Sequence, residues 1–71
     1  MELTDKEKKL LEDLLQIEYL CMHKYQVFTT QAVDPQIKNI FNMAYQQEVR
    51  HANTIKSLLQ QGGFQPPQDQ S

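Results

Sequence analysis

A chain of 71 residues can form one small domain at most, and its single cysteine rules out an internal disulfide to staple that domain together. Seven basic residues are scattered among nine acids for a net charge of −2, which leaves no basic stripe for a nucleic-acid backbone, and the adjacent pair Gly62-Gly63 makes no glycine-rich phosphate loop. The charged segment from Met1 to Lys9 adjoins no apolar run and no segment is long and apolar enough to span a membrane, so a soluble protein of a reducing, cytoplasmic compartment is expected.

Thr4-Asp5-Lys6-Glu7 fits a capping box, in which the threonine hydroxyl accepts from the third helical residue and the glutamate reaches back. A helix should therefore start at Asp5. No glycine or proline interrupts the chain until Val33-Asp34-Pro35, where Asp34 suits an N-cap and Pro35 the first turn of a second helix. The helices are expected over about 5–32 and 35–61, with Gly62 supplying the left-handed conformation that ends the second. Residues 1–63 then make a helical hairpin. Residues 64–71, with Pro66-Pro67 and three glutamines, have little that could pack and read as a flexible tail.

A largely apolar seam of alternating three-four spacing runs through Leu11, Leu14, Glu18, Cys21, Tyr25, Phe28 and Ala32 in the first helix, and through Ile37, Phe41, Ala44, Glu48, His51, Ile55 and Leu58 in the second. Leu15, Met22 and Thr29, with Tyr45, Ala52 and Leu59, widen these stripes on one side; Leu10, Ile17 and Ile40 widen them on the other. Two helices alone cannot cover faces so broad. The expected fold is all-α: a two-helix antiparallel hairpin that homodimerises into a four-helix bundle.

Glu18, Glu48 and His51 occupy seam positions otherwise filled by apolar groups, apart from the hydroxyl of Tyr25. Burying a lone carboxylate costs several kcal/mol, so such an acid is normally paired, protonated or bound to a cation. Glu48-Val49-Arg50-His51 is a Glu-x-x-His motif whose spacing projects both side chains from one helical face. At helical rise Glu18 lies roughly 25 Å and Glu48 roughly 20 Å from the turn, near one level. Doubling the hairpin gives two single glutamates and two Glu-x-x-His pairs in one layer, the ligand set of ferritin-like di-iron and di-manganese bundles. Four carboxylates are formally −4, a charge two divalent cations neutralise. The candidate metal ligands are thus Glu18, Glu48 and His51, and the alternative is a water-filled or protonated polar layer with no metal; no catalytic residue is assigned. Tyr25 and Tyr45 offer hydroxyls to orient the ligands.

His23 falls on the outer face and reads as solvated, and Cys21, where a second Glu-x-x-His would need histidine, reads as core. Tyr19, Leu20 and Val27 add apolar surface outside the seam, either a partner-docking patch or part of a broad dimer interface.

Leu3-Thr4-Asp5-Lys6, Leu11-Glu12-Asp13-Leu14-Leu15, Lys24-Tyr25, the Asp34-Pro35 turn, Gln47-Glu48 with His51, and the stretch from Leu59 to Gly63-Phe64 together resemble the spore coat F family over roughly Leu3 to Pro66. The resemblance implies a ferritin-like bundle, located in the cytoplasm or the spore coat, that acts as a structural component and contacts other coat proteins. Many members of that family lack a full ligand set, whereas Glu18, Glu48 and His51 stand together here. Rubrerythrin-like di-iron proteins are similar through the same three residues but carry both ligand halves in one chain. Three functions follow as expectations: a structural coat-type homodimer, a di-iron or di-manganese oxidoreductase or metal-handling protein assembled across the dimer, and an adaptor that docks a helix on Tyr19, Leu20 and Val27.

Overall fold

The computed structural model describes residues 1–69, which fold as two helices with no strand among them, α1 (Asp5–Gln31) and α2 (Pro35–Gln61), each 27 residues long. The capping box forms as its sequence indicates. Thr4 Oγ1 accepts from the Glu7 N–H and Glu7 Oε1 accepts from the Thr4 N–H, both at 3.0 Å, so two backbone donors that lack helical partners are satisfied. α1 stops one residue short of the expected limit, because Ala32 leaves helical dihedrals while its N–H still reaches the Phe28 carbonyl. Asp34 Oδ1 then accepts from the Gln36 N–H at 2.8 Å, with Pro35 in the first turn. The last turn of α1 has no basic residue of its own; Lys38 of α2 donates instead to the Thr29 carbonyl at 2.9 Å and ties the turn together.

At the far end the left-handed residue is Gly63, at φ +88°, whereas Gly62 caps α2 in the right-handed region. The Gly63 N–H bonds the Gln60 carbonyl and the Phe64 N–H bonds the Leu59 carbonyl, the two bonds of a Schellman motif, which needs its left-handed residue one place beyond the cap. Gly62 has a different use. A Cβ there would lie 2.7 Å from Leu3 Cδ1, so the glycine lets the N-terminal segment close over the open end of the hairpin.

The interior consists of Leu15, Tyr19, Ala52, Ile55 and Leu59, with Leu3, Leu11 and Met22 packed against it. It therefore lies along one flank of the expected seam and toward the open end. The opposite flank stays exposed, with Leu10 at 57%, Ile17 at 54% and Ile40 at 60% of their free accessibility. Leu14, Phe28 and Ile37 of the seam itself are exposed as well. Toward the turn, contact is carried by rings: Phe28 packs against Phe41 at 5.3 Å between centroids and edge-on against Tyr25 at 6.2 Å.

Tyr19 departs furthest from its expected place. It is 4% exposed rather than part of an open patch, because residues after Phe64 lie over it and its hydroxyl donates to the Pro67 carbonyl at 2.9 Å. Leu20 and Val27 remain exposed. Residues 64–69 of the segment expected as a flexible tail do pack, through the Phe64 ring, the Pro67 carbonyl and the Asp69 carboxylate, while residues 70–71 lie outside the described residues.

Leu15 and Leu59 are fully enclosed, so truncating either to alanine should destabilise the protein by about 2–5 kcal/mol, against less than about 0.5 kcal/mol for Leu20→Ala. Urea unfolding followed by circular dichroism checks this, and equal effects at Leu15 and Leu20 would contradict the assigned interior.

Candidate metal-binding cluster

Glu18 is the fourteenth of 27 residues in α1, and Glu48 is the fourteenth of 27 in α2. Antiparallel helices of equal length thus bring both glutamates to the mid-plane of the hairpin. His51, one turn beyond Glu48, joins them: its Nδ1 lies 3.8 Å from Glu18 Oε2 and 3.6 Å from Glu48 Oε1. All three sequence-expected ligands are therefore brought together, with one donor atom from each within 4.8 Å of the others.

Their surroundings are unequal. The Glu18 side chain is 12% exposed and that of Glu48 17%, whereas the His51 side chain is 51% exposed. Imidazole contacts of 3.6 and 3.8 Å are too long for hydrogen bonds, and Glu18 Oε2 is enclosed without any partner. Among the described residues no lysine or arginine pairs with either carboxylate. An enclosed, unsatisfied carboxylate oxygen beside a second carboxylate is the environment that a cation or a proton relieves.

The proton alternative shows in the acidity of Glu18, which is raised above the ordinary carboxylate range. The first cause is Glu48, which can accept a hydrogen bond from the protonated form; burial and the Glu48 charge push the same way, and His51 opposes them. Two carboxylate oxygens and one imidazole nitrogen also make a donor set suited to a divalent iron or manganese ion. The cluster fits a metal by its chemistry and by its orphaned oxygen.

The Tyr25 and Tyr45 hydroxyls make no hydrogen bond to these ligands among the described residues. Tyr25 meets Phe28, and Tyr45 lines a small cleft near the turn with Gln26, Thr29 and Asn42. Cys21 stays a free, partly enclosed thiol outside the cluster. His23, expected as a solvated outer residue, has its Nε2 at 2.8 and 2.9 Å from the two oxygens of Asp69. Helical periodicity carries no signal for that pair, since Asp69 lies in irregular chain 46 residues away.

No family model, curated protein or solved structure matches this chain. No helix among the described residues is long and apolar enough to cross a membrane.

The raised acidity of Glu18 sets the sign of a pH effect. A carboxyl that holds its proton more tightly when folded contributes stability fully present below its unfolded pKa, and that contribution is lost as pH rises through the folded value. The metal-free protein should therefore lose stability from about pH 4 upward toward neutrality. Glu18→Gln should remove this loss and raise the neutral-pH melting temperature of metal-free protein; an unchanged pH profile in the variant would show that the carboxylate pair is not strained.

Proposed function

We propose that this hairpin is one half of a homodimeric, ferritin-like four-helix bundle of the spore coat F type, a structural and interaction protein stabilised by a metal layer at its mid-plane. The observation that carries this reading is the enclosed, unpartnered Glu18 Oε2 beside Glu48 and His51, at the middle of a hairpin with one apolar face still open. On that face lie Leu10, Leu14, Ile17, Phe28, Ile37 and Ile40, all exposed, and the seam that bears them also bears His51. At 100° per residue Ile17 and Tyr19 point about 200° apart around α1, so the tail over Tyr19 covers one side and leaves the other to a second copy. Mid-helix placement of both glutamates lets a two-fold axis through the layer superpose the two half-sites.

In the dimer Glu18 and Glu48 of each copy supply four carboxylates, and His51 of each supplies an imidazole. When bound, divalent metal neutralises the carboxylate layer and links helices that would otherwise repel. Glu18, the most enclosed ligand, holds its oxygen ready at the interior, while the half-exposed His51 reaches the cluster from the open side. The chain's own part is then positioning: two caps and a turn fix the register that sets Glu18 level with Glu48.

The same ligand set favours a second reading, a di-iron or di-manganese carboxylate protein with oxidoreductase or metal-handling activity. The two readings part on turnover. Protein purified without chelator should carry about one iron or manganese per chain, lost in Glu48→Ala, and chelation should lower its melting temperature without any catalysed oxidation of iron(II) in air. Sustained oxidation beyond that of free iron would shift the assignment to the second reading, and metal-free protein whose stability ignores both chelator and added metal would contradict both.

A further inference from the structure

The Schellman motif at Gly63 turns the chain back onto the hairpin, and the segment that follows meets α1 at three successive points. The Lys8 ammonium sits 4.6 Å from the centre of the Phe64 ring, the Tyr19 hydroxyl donates to the Pro67 carbonyl, and His23 pairs with the Asp69 carboxylate. Contacts thus advance in the same direction along both segments. Lys56 forms the opposite wall, with its ammonium 5.5 Å from the Tyr19 ring centre, and the tail arches over a groove of about 640 Å³ that Tyr19, Lys56 and Gln60 line from the helix side.

This arrangement has the chemistry of a peptide-recognition groove. Pro66-Pro67 has a restricted backbone with no N–H to satisfy, so it enters an extended conformation at small entropic cost, and an aromatic floor that donates one hydrogen bond to a carbonyl suits such a segment. Lys8 and Lys56 place two ammonium groups on the helix side of the groove, and the His23 ring meets the Asp69 carboxylate. We propose that the Tyr19 groove is a recognition site for an extended, proline-containing acidic segment of a partner protein, held in cis by the chain's own tail. The site is separate from the metal cluster, and the contacts that form it all lie within one chain.

A tethered tail has an effective concentration of roughly a millimolar, so a tail bound in cis implies a dissociation constant in trans below about that value. The test uses the full chain with its tail lifted by Phe64→Ser, Pro67→Gly and Asp69→Lys, titrated with a synthetic peptide of residues 63–71 and followed by the NMR signals of Tyr19 and His23. Saturable binding is expected below about 1 mM in the lifted variant, with the wild-type chain requiring at least about tenfold more peptide. Adding Tyr19→Phe to the lifted variant should weaken binding about three- to tenfold. No saturable shift at several millimolar peptide overturns the proposal, as does binding indifferent to Tyr19→Phe or equally tight in the wild-type chain. Metal content of the same variants, measured in parallel, separates this outcome from failure of the metal reading.

Discussion

Two helices in contact touch along one line, and that line encloses only a narrow strip of each. Here both helices carry apolar arcs much wider than one strip, so enclosing Leu15, Ala52, Ile55 and Leu59 leaves most of the remaining apolar residues at the surface. The hairpin closes one flank with its own tail, Leu3 closes the open end over Gly62, and the turn end is held by rings around Phe28. None of the described residues encloses the face that bears Leu10, Leu14, Ile17 and Ile40. A wide apolar arc on a chain with only two helices is thus the geometric basis of the proposed pairing with a second copy.

The polar layer reflects the same constraint. A carboxylate at a seam position is tolerable in a hairpin because half of the seam is still wet, and the half-exposed His51 marks that wet side. Closure by a second hairpin would remove the water. Four carboxylates would then have to bind cations, share protons or separate, so the forces that complete the apolar interior also raise the demand for a metal. Within one chain the Glu48 carboxylate and burial already push the Glu18 pKa above its ordinary value.

What could be read in the sequence were the features encoded by neighbours. The capping box at Thr4, the Asp34-Pro35 restart and the Glu48-x-x-His51 spacing each depend on residues within one turn, and each forms as expected. Glu18 joined them because equal helix lengths fix its height. The errors lie where long-range packing decides. Periodicity defined an apolar arc but not which edge of it the partner helix would take, so Leu14 and Phe28 stand open while Leu15 and Leu59 are enclosed. Tyr19 was legible as apolar, yet its hydroxyl finds its acceptor in the carbonyl of Pro67, 48 residues away. Gly62 and Gly63 divided their roles differently because the close approach of Leu3 needs the first and the Schellman bonds need the second.

Sedimentation equilibrium across the micromolar range measures whether the hairpin pairs with a second copy of itself. Pairing predicts the mass of two chains, with helix content lost as dilution separates them. A monomer that keeps its full helicity at low micromolar concentration would contradict it.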